Sequence, residues 1–263
     1  MSELKVPTMA ECQANGKSPE ILFWVGCAGS FDDRAKKITK AIVKILNKCK
    51  VDFAVLGTEE NCTGDPARRA GNEFTFQMQA MMNIQLLDAY EVKKIVTACP
   101  HCYNTLKNEY SDLGGNYEVV HHSQLIQSLI NQGKLKLEGE SIYKGKKITF
   151  HDPCYLGRAN DVYEAPREMI IKLDAELTEM NKCRSKGLCC GAGGAQMFKE
   201  AESGEKEINV ERTEQALETK PHVIATGCPF CNTMMTDGIK NKEKEAEVKV
   251  LDIAELIANA AEL

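Results

Sequence analysis

Short apolar runs alternate with amphipathic stretches along the chain, and the alternation is played through twice. Residues 21–25 form an apolar run, after which Ile38, Ala41, Ile42, Ile45, Leu46 and Cys49 recur at helical spacing on one face. That pattern predicts a strand followed by an amphipathic helix. Residues 53–56 predict a second strand, 74–90 a Met-rich helix, 95–98 a third strand, and Val119 with Val120 a fourth. Ser123 is placed to cap a last helix whose inward face carries Leu125, Ile126, Leu129 and Ile130. The second half repeats the plan, with strands expected at 147–150, 175–180, 223–226 and 249–251. Strands alternating with helices predict parallel sheets, which place ligand sites at the carboxyl ends of their strands. The expected fold is therefore α/β, with two pseudo-symmetric Rossmann-like units. The polar, glycine-containing stretch 133–145 reads as a linker, giving an N-terminal tail (1–20), a first unit (21–140) and a second unit (141–263).

Composition narrows the functional classes. The 263 residues, 43% hydrophobic and 27% charged, suffice for one large core or two modest ones. A formal charge of -5, with scattered basic residues, provides no electrostatic footprint for nucleic acid. No apolar run reaches the roughly 18 residues that span a bilayer, and the first twenty residues lack a signal-peptide pattern. The expectation is a cytoplasmic protein without direct membrane insertion, able to sit peripherally on a membrane complex. Twelve cysteines alter the picture, because a reducing compartment keeps thiols free and an excess of them there points to metal or redox chemistry.

The cysteine positions expose an internal duplication. Cys27, Cys62, Cys99 and Cys102 are followed, at offsets of 127 to 129 residues, by Cys154, Cys190, Cys228 and Cys231. The surrounding sequence agrees: IVTACPHCYNTL is echoed by VIATGCPFCNTM, and VHHSQLI by LDIAELI. Alone, a strand leading into Cys-Pro-His-Cys and a helix reads as a redox dithiol. In register with the more distant cysteines, it supplies the last two thiolates of a cage. Thiolates with no histidine at ligand spacing favour an iron-sulfur cluster or zinc, and the long spacing departs from the paired short loops of structural zinc sites. In GLCCGAGGAQMF the adjacent Cys189 and Cys190 add a fifth thiolate, and the glycines admit close backbone approach to a bulky group.

Cys154, Cys189-Cys190-Gly191 and Cys228-Pro-Phe-Cys231 resemble the cysteine-rich CCG domain of the B-type heterodisulfide reductase subunits and their relatives, over nearly the whole chain. HDPCYLGRANDVYEAPRE and CCGAGGAQMF are also similar to iron-sulfur proteins associated with electron-transfer flavoprotein and quinone reduction. The resemblance implies that Cys154, Cys189, Cys190, Cys228 and Cys231 hold a noncubane [4Fe-4S] cluster. The first copy departs from it, with Asn61-Cys62-Thr63 standing opposite Cys189-Cys190-Gly191. Cys27, Cys62, Cys99 and Cys102 remain, enough for an ordinary cubane [4Fe-4S] cluster.

Three function classes follow. An iron-sulfur oxidoreductase subunit of heterodisulfide reductase B type, passing electrons to a disulfide, quinone or other redox partner, uses all nine of these cysteines. A thiol-disulfide oxidoreductase working through Cys99-Cys102 and Cys228-Cys231 uses four, and a zinc-stabilised scaffold does not require the two copies to differ. Under the first reading electrons arrive from a ferredoxin-type iron-sulfur or flavoprotein subunit, membrane-bound ones included, because the chain has no C-x-x-C-x-x-C-x-x-x-C run. Among the other residues, Cys49 reads as a buried small hydrophobe, Cys12 as part of an unstructured polar tail, and Cys183 as a non-ligand. The Met-rich helix reads as core, and His121 and His122 as solvated or capping. His101 reads as packing, His151 and Asp152 as loop braces or proton carriers, and Arg68, Arg69 and Arg158 as charge-neutralising or solvent-facing.

Overall fold

Each apolar run closes onto a parallel neighbour, giving two four-stranded sheets in a computed structural model that describes residues 4–137, 140–200 and 203–263. The first unit runs α1 (Met9–Ala14), β1 (Ile21–Trp24), α2 (Gly26–Phe31), α3 (Ala35–Lys48), β2 (Phe53–Ala54), α4 (Asp65–Arg69), α5 (Glu73–Ala89), β3 (Lys94–Thr97), α6 (Pro100–Asn104), β4 (Glu118–His121) and α7 (His122–Asn131). The second runs β5 (Lys147–Phe150), α8 (Glu164–Lys172), β6 (Glu176–Leu177), α9 (Ile208–Leu217), β7 (Val223–Thr226), α10 (Pro229–Asn241), β8 (Lys249–Asp252) and α11 (Ile253–Ala260). Strand orders are β2-β1-β3-β4 and β6-β5-β7-β8, so the duplication read from the cysteines extends to sheet topology. Residues 138 and 139, within the expected linker, lie outside the described residues.

Strand alternation divides the core. Ile21 and Phe23 of β1, with Ile148 and Phe150 of β5, enter a cluster shared by both sheets and helices α3, α7, α8 and α11. Leu22 and Trp24 point the other way, against α5 and α6. Each such buried side chain contributes about 1.5–3 kcal/mol from its removal from water. The helix layer between the sheets joins the units, and Arg34 reinforces the join by donating to the Glu255 carboxylate at 2.7 and 2.9 Å and to the Val250 carbonyl at 2.8 Å. No helix among the described residues is long and apolar enough to cross a membrane.

Three expectations are corrected by the fold. Cys12 does not lie in an unstructured tail: α1 is capped by Thr8, Cys12 is buried, and Thr8 bridges to Val55, extending the edge of the first sheet where β2 ends. Met78, Met81 and Met82 are surface residues at 50–54% exposure, because Phe76, Ala80, Ile84 and Leu87 take the inward face of α5. Apolar and polar residues are mixed around this helix, so periodicity does not single out that face. His121 and His122 are fully buried. His121 does cap α7, but its Nε2 also donates to the Ala98 carbonyl at 3.3 Å and, across the units, to the Gly227 carbonyl at 3.0 Å.

Burial, aided by neighbouring His122, holds the His121 imidazole well below its ordinary 6.5. Below about pH 6.5 the unfolded chain therefore takes up a proton that the folded chain refuses. The His121 contribution to stability should be flat above that pH and fall as the solution is acidified, and His121→Gln should reduce the slope on the acid side. Anaerobic urea titrations between about pH 5 and 8 measure this; equal slopes in both proteins would refute it.

Candidate metal centre

The Cys-Pro-x-Cys segments turn each third strand into a helix. Cys99 caps α6 and Cys228 caps α10, each with extended backbone, and Pro100 and Pro229 occupy the first helical position, where the missing N–H costs nothing. Cys228 Sγ accepts the Cys231 N–H at 3.5 Å. All four cysteines are buried; the Cys99 thiol is held well below its ordinary value by its Cys102 and Cys228 neighbours, while burial pushes Cys228, and neighbouring thiols with burial push Cys102 and Cys231, well above theirs.

At the second site each thiol lies close enough to the next to shift its acidity, in the series Cys154, Cys189, Cys190, Cys231, Cys228. Cys154 and Cys190 pull the Cys189 pKa far down, while Cys189 pushes Cys190 up to about 12. Gly191, at φ +92°, turns its N–H onto Cys189 Sγ at 3.4 Å, a backbone conformation that disfavours any residue with a Cβ. Behind Cys154, Asp152 is held by fully buried Arg167 through paired bonds of 2.7 and 2.9 Å; Arg167 also binds Glu179. The other face of Asp152 accepts the Arg184 N–H at 2.7 Å, tying the strand-end turn to the loop that leads to Cys189. A ring nitrogen of His151 lies with Cys190 Sγ and Cys231 Sγ in a group whose members are all within 4.8 Å of one another. Its Nδ1 accepts from Arg212 Nε at 3.0 Å, and its buried Nε2 has no partner. Burial pushes the ring down to about 3, so it is neutral. Five converging thiols exceed the four of a structural zinc site and, with an orphaned polar atom beside them, fit a larger sulfur-ligated group.

The first site corrects the register between the copies. Cys62 raises the Cys27 pKa as Cys189 raises that of Cys154, and Gly64, at φ +87°, directs its N–H onto Cys62 Sγ at 3.5 Å as Gly191 does onto Cys189. Cys62 is therefore the counterpart of Cys189, not Cys190, and the glycine is retained as Gly64. The position of Cys190 is held by Thr63, buried and donating its hydroxyl to Cys102 Sγ at 3.8 Å, where the Cys190 sulfur lies within 4.8 Å of that of Cys231. Asn61 lies outside the thiol set and bonds to the Glu59 carbonyl. Beneath the site Glu60, missed in the sequence, accepts the N–H groups of Val25 at 2.9 Å and Gly26 at 2.5 Å and so shapes the turn carrying Cys27; burial raises its carboxyl to about 7.

Residue spacing carried no sign that the two sites touch. Cys99 of the first lies close enough to Cys228 of the second for each thiol to shift the other's acidity. His101, between the first pair of thiols, stacks on Tyr155 at 4.3 Å and meets Phe230 edge-on, which bears out its packing role; its Nδ1 also bonds to Asp65 at 2.8 Å. Arg68 and Arg69 are spent on Glu109, Glu73 and Asp65, and Arg158 on the Gly187 carbonyl. Cys49 is buried in the shared core, and Cys183 is half-buried.

The model of the CCG cysteine-rich domain matches residues 21–107 and again 148–236. A probable iron-sulfur-binding oxidoreductase, FadF, of Bacillus subtilis is 48% identical over 98% of this chain and 36% of its own length. The EtfAB:quinone oxidoreductase of Syntrophomonas wolfei is 46% identical over 94% of this chain and 35% of its own length. The D-type subunit of the dihydromethanophenazine:CoB–CoM heterodisulfide reductase of Methanosarcina barkeri is 32% identical over 92% of this chain and 59% of its own length. The chain thus spans between about a third and under two thirds of these relatives.

Proposed function

Because this chain belongs to the CCG family of cysteine-rich domains, carried in two copies, we propose that it is the reducing module of an iron-sulfur oxidoreductase of heterodisulfide reductase type. The observation that carries this reading is the run of buried thiols crossing from one site to the other through Cys99 and Cys228. In it, Cys154, Cys189, Cys190, Cys228 and Cys231 hold a noncubane [4Fe-4S] cluster, and Cys27, Cys62, Cys99 and Cys102 a cubane one. Such clusters, when bound, supply one-electron transfer. The chain's own residues bury the ligand thiols, present them at helix ends, and brace the Cys154 turn through Asp152 and Arg167.

The first site then relays electrons and the second meets the acceptor, a disulfide, quinone or other redox partner; the names of the relatives include examples of the first two. Electrons enter from a ferredoxin-type iron-sulfur or flavoprotein partner, membrane-bound ones included, supplied by a further domain or a separate subunit, and the protein works in the cytoplasm or peripherally on such a membrane complex. Direct dithiol chemistry fits less well, because Cys99, Cys102, Cys228 and Cys231 are buried where an exchanging thiolate must be reached.

Protein purified without oxygen should be brown and carry about eight irons and eight sulfides per chain. Cys27→Ser should remove the cluster signal of the first site and Cys189→Ser that of the second, followed by electron paramagnetic resonance (EPR). Colourless protein, or zinc in place of iron, would overturn the proposal.

A further inference from the structure

His151, Cys190 and Cys231 form a triad whose spacing alone would pass for a three-ligand metal site. The hydrogen bonding says otherwise. Arg212 can only donate, so its Nε–H, 3.0 Å from His151 Nδ1, requires the lone pair there and puts the ring's single proton on Nε2. Nε2 is then an N–H group with no lone pair for a metal, buried and without a partner. Arg212 is itself fully buried. Its remaining bonds run to the Lys182 carbonyl at 2.7 Å and the Gln215 side-chain oxygen at 3.0 Å, both uncharged, and its Nη2 has no partner. A buried guanidinium bonded only to neutral groups, beside two orphaned donors, calls for negative charge close by. The buried Asp152 carboxylate supplies part of it, and the thiolates of Cys190 and Cys231, together with the sulfides they would bind, supply the rest.

The helix packing keeps this arrangement in place. A Cβ on Gly238 of α10 would lie 2.0 Å from Thr213 Oγ1 and 3.0 Å from the Asn209 carbonyl oxygen of α9. Glycine there lets α9, carrying Arg212, press against α10, whose first turn carries Cys231.

We infer that His151 is not a ligand but a hydrogen-bond donor to the sulfur of the second cluster, set in its Nε2–H form by Arg212, and that the pair holds that cluster at a higher reduction potential than its thiolates alone would give. Donated hydrogen bonds and nearby positive charge stabilise the reduced, more negative state, which is the direction of the effect. His151 and Arg212 are on this account positioning and tuning residues, and the inference rests on the iron-sulfur reading above.

The test uses the whole anaerobic protein with its histidines labelled with nitrogen-15, examined by pulsed EPR at the second cluster. The expected result is an exchangeable-proton coupling and only weak coupling to nitrogen. Strong coupling typical of directly bound nitrogen would overturn the inference without any mutation. In potentiometric titrations His151→Leu should lose the proton coupling and shift the second cluster to lower potential, with iron content and the first cluster's signal unchanged. His151→Gln, which can still offer an N–H, should recover part of the shift, and Arg212→Gln should lower the potential with His151 intact. An unchanged potential in iron-replete His151→Leu would also overturn it. Absence of iron at the second site of the unmutated protein would instead refute the underlying cluster reading, an outcome distinct from the others.

Discussion

Exchanging one side chain between the two sites is expected to exchange their cluster signatures. Cys190→Thr should give the second site the four-thiolate set of the first, removing the unusual oxidised-state EPR signal expected of a noncubane cluster while iron is retained. Thr63→Cys should create the reverse, because Thr63 occupies the place of Cys190, with its hydroxyl on Cys102 where the Cys190 sulfur lies beside that of Cys231. Asn61→Cys is the control, and it should change nothing, since Asn61 is turned away onto the Glu59 carbonyl. If the second site carries out the reduction, Cys190→Thr should also lower turnover with a competent electron donor by more than about a hundredfold, since residues merely supporting metal ligands are worth about 10–100-fold. Conversion of the first site by Asn61→Cys but not by Thr63→Cys would restore the register in which Asn61 faces Cys189.

Arg167→Leu should be the most damaging change away from the thiols. Arg167 is 2% exposed and forms paired bonds with Asp152, itself 5% exposed, while also holding Glu179. Removing the guanidinium leaves the Asp152 carboxylate buried with its charge uncompensated, a loss of about 3–5 kcal/mol. Asp152 also anchors Arg184 and lies two residues before Cys154, so the damage should reach the second site first. Chemical denaturation should show the lost stability, and iron analysis a selective loss from the second cluster. A double change, Arg167→Leu with Asp152→Asn, should recover part of the stability by removing the stranded charge; no recovery would mean that Arg167 acts through packing alone.

Much of the fold was legible because its signals are local. The runs at 147–150 and 223–226 coincide with β5 and β7 residue for residue, since short runs rich in β-branched and apolar residues mark buried strands. The run at 53–56 was read too long, because Val55 leaves β2 to bridge with Thr8, a pairing across more than forty residues that no local pattern announces. The nine cysteines of the two sites were likewise legible, because residue type and repeat spacing are properties of the chain itself.

The duplication, the parallel α/β plan and the thiol inventory are thus written in the chain alone, since all of them follow from chemistry and periodicity along one dimension. Which cysteine of one copy answers which of the other was settled only in three dimensions: a two-residue difference in loop length leaves the linear alignment free to slip by one, whereas Gly64 on Cys62 and Gly191 on Cys189 allow a single match. The contact between Cys99 and Cys228, and the Arg212 proton that makes His151 a donor, arise there too. They depend on distance and hydrogen-bond direction between elements far apart in the chain, which are set by packing and leave no mark on residue spacing.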